Sequence, residues 1–366
     1  MRIFYASHAS GDSALPGSQT WTRNILWALR DLGHEVVVFD YDLDSVVRHV
    51  DPSAAGARAY IERQRPRTSE ELVRQVRRAC DAGGIDLFFS YFYSAMVDPA
   101  AIREITRVGV PTVNWYCNAS YQFHLVAEIA PAFDVCLVPE RFRLDDYRAV
   151  GANPVYCQEA ANPLVYRPKP ELAKEFDVTF VGQRYGDRPA FVRGLVEHGV
   201  DIRVWGTGWT DVPRSLGGKA RRRAARLLTR SWSIPPAVVG PPLDDDGYVD
   251  MYSRSTISLG FSKVADPLSD GTIVKQVRLR DFEAPMSGAF YLLEHSDEIE
   301  DFFTPDREIV CFDDGAELVE KASYYLRHDD ERERIRRAGR DRALREHTWQ
   351  IRLTDAFRRA GLTGPG

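Results

Sequence analysis

Short apolar runs alternate with amphipathic stretches along most of this 366-residue chain. The apolar run Arg2–Ala6 is followed by a loop rich in Ser and Gly, an amphipathic segment over Thr20–Leu32 and a second apolar run, Glu35–Asp40. Apolar runs of this length indicate buried strands, and their alternation with helices indicates a parallel sheet. The pattern therefore predicts an α/β protein built from repeated strand–helix units.

The same alternation continues along the chain and restarts after a proline-rich break. The further predicted strands are Ile85–Ser90, Val110–Trp115, Phe133–Val138, Val155–Gln158, Asp177–Val181, Ile202–Trp205, Thr256–Phe261 and Ala289–Leu293. The further predicted helices are Glu70–Asp81, Pro99–Val108, Glu140–Val150, Pro189–His198, 314–327, 330–346 and a last one from about Gln350. The break is the phrase EAANPLVYRPKPEL, whose three prolines suit a linker between two lobes, so we place a boundary near Pro168.

Composition excludes several classes of protein. The formal net charge is −5, with 44% apolar and 28% charged residues, which is ordinary for a globular protein and gives no support to nucleic-acid binding. The five cysteines show no metal-ligand or CxxC spacing, so we expect free thiols in a reducing compartment. The sequence shows no leader and no apolar run of membrane-spanning length, and we expect a cytoplasmic protein.

The stretch Gln276–Glu300 combines charge with a glycine break and a buried strand. Arg278 and Arg280 precede a lone carboxylate, Glu283, and an apolar strand follows. Two cations could neutralise a diphosphate while the carboxylate accepts hydrogen bonds from a sugar diol. A charged surface helix would give the same pattern, and the residues alone leave both interpretations open.

A second candidate phosphate site lies at the turn after the predicted strand Asp177–Val181. Gly182, Arg184 and Arg188 stand between that strand and a helix that has proline in its first turn. Backbone N–H groups at such a turn bind anions. A plain surface role for Arg188 is the alternative.

An acceptor wall is predicted near the ends of the earlier strands. The segment WYCNASYQFH holds Asn118, Tyr121 and His124, which suit stacking on sugar rings and hydrogen bonding to hydroxyls. His124 is the candidate base there, although a lone histidine beside an apolar helix is often structural. Gly17 and Ser18 open the first helix and could receive hydroxyls or an anion, or could simply form a turn and a cap.

Two further segments carry notable charge. The basic run 219–232 has the build of an amphipathic helix that could touch an anionic membrane, or of a solvated arginine-rich helix. The run Asp244–Asp246 is interpreted as a turn. The loop 262–272, ahead of the arginine pair, could close over a bound sugar.

The phrases RDFEAPMSGAFYLLE and AGRDRALREHTW resemble the C-terminal half of the CgeB-like glycosyltransferases, relatives of the large retaining families. The resemblance implies the GT-B fold, in which two Rossmann-like domains face each other across a cleft. It implies an acceptor domain at 1–167, a donor domain at 168–348 and a last helix at 349–366 that crosses back to the first domain.

The resemblance also implies roles for individual residues and no need for a metal. Glu283 would bind the donor ribose, and Arg278 and Arg280 would lie near the diphosphate. Lys275 stands where many relatives have a second Glu, which leaves the donor sugar and the stereochemical outcome open. The full set that we assign to donor binding is Gly182, Arg184, Tyr185, Arg188, Lys275, Arg278, Arg280 and Glu283, with Arg278, Glu283 and His124 as the catalytic candidates.

The sequence therefore predicts a glycosyltransferase that moves a sugar from a UDP-, GDP- or dTDP-sugar to a small-molecule or lipid acceptor, with retention and without a metal. A nucleotide-sugar epimerase of the same fold and a non-catalytic nucleotide-sugar-binding protein are the alternatives. The sequence does not indicate the oligomeric state.

Overall fold

Two parallel β-sheets organise the computed structural model, which describes residues 1–8, 18–49, 51–54, 56–209, 234–264 and 271–362. Their strands are β1 (Arg2–Ser7), β2 (Glu35–Val38), β3 (Leu87–Tyr91), β4 (Thr112–Trp115), β5 (Val135–Val138), β6 (Pro154–Tyr156), β7 (Phe176–Val181), β8 (Ile202–Trp205), β9 (Ser255–Gly260), β10 (Tyr291–Glu294) and β11 (Val310–Phe312). The first sheet has the order β2-β1-β3-β4-β5-β6 and the second β11-β10-β9-β7-β8. Every paired neighbour runs parallel, as the apolar runs and their helical connections require.

Helices fill the connections between the strands. They are α1 (Trp27–Asp31), α2 (Leu43–Val47), α3 (Ala57–Asp81), α4 (Pro99–Arg107), α5 (Ala119–Gln122), α6 (Leu144–Ala149), α7 (Arg188–Glu197), α8 (Asp245–Arg254), α9 (Leu279–Met286), α10 (Gly315–Tyr325), α11 (Asp329–Glu346) and α12 (Trp349–Arg359). A π-helical turn, Thr22–Leu26, leads directly into α1. None of the described helices is both long and apolar enough to cross a membrane.

The chain crosses from one sheet to the other twice, first between β6 and β7 and then between α11 and α12. These two segments, the first and the second passage, lie side by side. Ala161 in the first passage donates its N–H to the carbonyl of His347, and Trp349 in the second donates to the carbonyl of Ala161. Helix α12 then packs on the first sheet, where the Trp349 ring lies 5.2 Å from that of Trp115. The last helix therefore belongs to the hydrophobic core of the first sheet.

Among the elements that differ from the sequence prediction, three have a plain local reason. Helix α3 begins at Ala57 and runs through Pro66, because the polar residues ahead of Glu70 lack the apolar periodicity on which the prediction rested. Strand β11 was not predicted, since it has only three residues. The run Asp244–Asp246 is not an isolated turn but the start of α8, where Asp244 accepts a hydrogen bond from the N–H of Gly247.

Candidate active site

A cavity of about 350 Å³ lies between the two sheets. The side that belongs to the first sheet is formed by Thr20, Trp21, Tyr93, Cys117, Asn118, Tyr121, Gln122 and Glu159. The opposite side is formed by Gln183, Tyr185, Arg188, Tyr248, Gln276, Arg278, Leu279, Arg280 and Glu283. The first side is mainly aromatic and amide, whereas the second concentrates guanidinium groups.

Arg188 is a buried cation at the start of α7, with 7% of its surface exposed. Its guanidinium lies 3.8 Å from the centre of the Tyr185 ring and donates to the carbonyl of Gln183. Burial lowers its pKa to about 9, and the nearby charges of Arg278 and Arg280 act in the same direction. A dianionic ligand in the cavity would relieve this unfavourable concentration of positive charge.

Arg278 and Arg280 reach the cavity from the start of α9. The Arg278 backbone N–H donates to Asp281 at 2.8 Å, which fixes the first turn of the helix. The Arg278 side chain donates to the carbonyls of Phe261 and Lys263, so the loop after β9 holds its guanidinium in place. Arg280 is half-buried, with its guanidinium 5.8 Å from the Tyr248 ring. The predicted arginine pair therefore lies at the cavity.

Glu283, one turn further along α9, is 2% exposed and lines the same cavity. Its carboxylate accepts a hydrogen bond from the Tyr248 hydroxyl at 2.6 Å and another from Tyr166. Tyr166 lies in the first passage between the sheets, and its hydroxyl also accepts from the amide of Asn24. Hydroxyls from two different elements thus fix the orientation of this carboxylate.

The structure brings only part of the predicted donor set to the cavity. Arg184 is exposed and Lys275 donates to the carbonyl of His295, and neither lines the cavity. Gly182 is buried in backbone contacts, since its carbonyl accepts from the Trp209 indole and a Cβ at this position would lie 2.5 Å from the Phe180 ring. Gly182 therefore packs closely at the end of β7 and does not line the cavity.

The predicted acceptor set is also divided. Asn118 and Tyr121 line the cavity. His124 does not: it is exposed on a short 3₁₀ turn, with Asp51 as its charged neighbour. The turn after α5 directs this residue away from the cleft, which its position in an aromatic segment did not reveal. Ser18 is buried and shares a 2.6 Å hydrogen bond with Thr20, while Gly17 lies outside the described residues.

The cavity also includes residues that the sequence analysis missed. Gln183 adjoins Arg184, and the prediction chose the charged neighbour. Tyr248 belongs to α8, which was not predicted. Glu159 lies in the linker phrase, where the break in composition was interpreted as a domain boundary only.

Several carboxyls near the cavity are buried. Burial raises the pKa of Asp281 to about 6 and that of Glu140 to about 8, and it raises the pKa of Glu159 well above the usual range. Asp281 also accepts a hydrogen bond from the Tyr291 hydroxyl. Within the described residues, no group of three or more His, Cys, Asp or Glu side chains is arranged to hold a metal ion.

Comparison with known proteins assigns the fold. Residues 183–358 match the family described as "Glycosyl transferase-like", and none of the curated proteins matches the chain significantly. Sucrose-phosphate synthase from Thermosynechococcus elongatus aligns with 13% identity and a TM-score of 0.61, over 99% of both chains. Anabaena HepE, solved with UDP-glucose, aligns with 10% identity and a TM-score of 0.60, over 99% of this chain and 100% of that one.

A glycosyltransferase from Rickettsia africae aligns with 12% identity and a TM-score of 0.60, over 98% of this chain and 97% of that one. These likenesses confirm the predicted GT-B fold of two parallel-sheet α/β domains. The family match spans the part of the chain that holds Arg188, Arg278, Arg280 and Glu283. Together the match and the structural neighbours support a glycosyltransferase of this fold.

Proposed function

We propose that the protein transfers a sugar from a nucleoside-diphosphate sugar to the hydroxyl of an acceptor bound against the first sheet. The observation that supports this most directly is the convergence of Arg188, Arg278, Arg280 and Glu283 on one cavity between two parallel sheets. Ligands of open α/β folds bind beyond the carboxyl ends of the strands, which is where such a cavity forms.

Each group has a distinct role in this proposal. The guanidiniums of Arg188 and Arg280 bind the diphosphate and stabilise the charge that develops as it leaves. The Glu283 carboxylate accepts hydrogen bonds from the ribose hydroxyls, for which Tyr248 and Tyr166 hold it in place. Because three arginines can neutralise the diphosphate, the proposed reaction does not depend on a divalent cation.

The acceptor-binding side is proposed from the residues that line the cavity on the side of the first sheet. Asn118 and Tyr121 offer an amide and an aromatic ring at the cavity, which suits a hydroxylated or sugar-containing acceptor.

We assign residues 1–167 to acceptor binding and 168–348 to donor binding, with 349–366 returning to the first domain. The two sequence phrases that resemble the CgeB-like enzymes support that subtype and a hexosyl donor as further parts of the proposal, while Lys275 in place of the second Glu leaves the stereochemical outcome open. The proposed contact of 219–232 with a membrane or a lipid acceptor falls outside the described residues.

Thermal denaturation with a panel of UDP-, GDP- and dTDP-sugars tests the proposal. A specific donor at 100 times its Kd should stabilise the folded protein by about 2.7 kcal/mol, which raises its Tm. Glu283→Gln keeps a hydrogen-bond acceptor for Tyr248 but weakens ribose binding, so its donor-dependent rise should shrink. Glu320→Gln, an exposed carboxylate on α10, serves as the control and should behave like the wild type. The proposal fails when no donor in the panel raises the Tm of the wild-type protein.

A further inference from the structure

Glu159 is a buried carboxyl on the acceptor side of the cavity. It follows β6 in the first passage between the sheets and is 7% exposed, with the cavity in front of it. Its backbone N–H donates to the side-chain oxygen of Gln158 at 2.8 Å, and the Gln158 amide donates in turn to the carbonyl of Pro139. The residue is therefore held at a fixed place in the cavity wall.

Charged and titratable groups surround this carboxyl from several elements. The Cys117 thiol, after β4, hydrogen-bonds to it. Among its charged neighbours are the carboxyls of Glu140, Glu283 and Asp281 and the guanidinium of Arg278. Burial raises the Glu159 pKa most, the acidic neighbours raise it further, and Arg278 lowers it.

Sugar transfer needs a group that can take a proton. The attacking oxygen loses its hydrogen as it forms a bond to the anomeric carbon, and the bond from that carbon to the diphosphate breaks with its electron pair on the diphosphate. Among the described residues that line the acceptor side, Glu159 is the only one with an ordinary pKa below neutrality. The Tyr93 hydroxyl and the Cys117 thiol already have ordinary pKa values above neutrality, and burial raises both further, so they are protonated at neutral pH. Because burial also raises the Glu159 pKa, the ionised form that can take the proton becomes more populated as the pH rises.

We propose that Glu159 accepts the proton of the hydroxyl that attacks the donor sugar, a role for which the sequence suggested His124. The inference rests on the proposed function. Its carboxylate faces the donor groups from the opposite side of the cavity, with Glu283 and Arg278 among its charged neighbours. A hydroxyl placed between the two walls would therefore meet the base on one side and the sugar on the other.

The test compares Glu159→Gln with the wild type, using the sugar nucleotide that gives the largest rise in Tm. The measured reaction is release of free sugar with water as the acceptor, followed from pH 5 to pH 9. We expect kcat to fall about 10²- to 10⁴-fold with the donor KM changed less than about threefold. The wild-type kcat should rise with pH on the acidic side of the pH–rate profile, as the Glu159 carboxyl ionises, and the variant should lack this acidic limb. Glu62→Gln, an exposed carboxylate on α3, should keep both the rate and the limb.

The outcomes separate this inference from the proposed function. A Glu159→Gln protein with the wild-type kcat and the same acidic limb overturns the inference alone, provided that Glu283→Gln still impairs donor binding. A wild-type protein that no donor stabilises overturns both. If Glu159→Gln does not fold, Glu159→Asp replaces it: a reduced kcat with unchanged donor KM supports the inference, and the wild-type kcat contradicts it.

Discussion

At the scale of single residues, the donor side of the cavity is marked by a positive charge that burial disfavours. Arg188 is buried among Tyr185, Phe180 and Phe261, where aromatic faces partly compensate for lost hydration. Its lowered pKa shows that burial still disfavours the charged form. A bound diphosphate would supply the missing counter-charge, so the residue is better suited to binding than to stability.

Arg188→Met should therefore separate binding from stability. Methionine keeps most of the aliphatic volume and removes the buried charge, so the ligand-free variant should melt at a higher temperature than the wild type. The Kd for the nucleoside diphosphate should rise about 10- to 100-fold, since a hydrogen bond to a charged group is worth about 1.5–3 kcal/mol. Calorimetric titration measures the affinity and scanning calorimetry the stability. The matched control Arg184→Met lies on the exposed side of the same turn, and equal losses of affinity in both variants would contradict the site.

His124→Asn tests whether this histidine takes part in the reaction. Because this side chain is exposed and does not line the cavity, its replacement should leave kcat and the donor KM within about twofold of the wild type. Steady-state kinetics with the selected donor provide the measurement. A loss of kcat beyond tenfold would restore the histidine to the reaction and displace Glu159.

At the scale of elements, the sequence predicted what depends on local pattern and missed what depends on tertiary contacts. Of the eleven strands in the described part of the chain, ten coincide with predicted apolar runs, because a buried parallel strand is apolar on both faces. The arginine pair and Glu283 were found because they lie within six residues of one another in the sequence. Glu159 was missed because only the fold brings the segment after β6 to the cavity. The exposure of His124 could not be predicted either, because it depends on the short turn over Phe123–Leu125.

Helix α12 shows how a distant element stabilises the first sheet. Trp349 is fully buried, and its backbone also bonds to Ala161. Trp349→Ala should lower the free energy of unfolding by about 3–5 kcal/mol, through lost burial and a cavity. Ile351→Ala, on the exposed face of the same helix, should change it by less than about 0.5 kcal/mol. Urea denaturation gives both values, and similar values for the two variants would argue against this packing.

At the scale of the whole molecule, buried acids couple stability to pH. Glu140 is fully buried, and its pKa is raised from 4.5 to about 8. The folded protein therefore holds a proton that the unfolded chain releases above pH 4.5, and the resulting stability is lost as the pH rises through 8. Below pH 6.5 His347 acts in the opposite direction, because burial lowers its pKa to about 4.

Between pH 6.5 and pH 8 the wild type should consequently lose about 1.5 kcal/mol more stability than Glu140→Gln, whose amide mimics the neutral acid. Urea denaturation at the two pH values measures the difference. Glu62→Gln should follow the wild type, because its carboxylate is exposed. A pH dependence in Glu140→Gln as steep as that of the wild type would show that Glu140 is ionised in the folded state.

The two halves of the molecule meet around the cavity through polar contacts as well as through the paired passages. Arg23, ahead of α1, pairs with Asp246 at 2.7 Å, and the N–H of Gln19 donates to Asp245. Both aspartates begin α8, the helix whose Tyr248 contacts Glu283. These contacts link the first half of the chain to the donor side of the cavity and help to keep the two walls facing each other.

The most direct test of the central claim is a crystal structure of the protein with the nucleoside diphosphate of its selected donor. The account predicts the diphosphate within hydrogen-bond distance of Arg188 and Arg280, and the ribose hydroxyls on the carboxylate of Glu283. A nucleotide bound elsewhere on the protein, with this cavity empty, would contradict it.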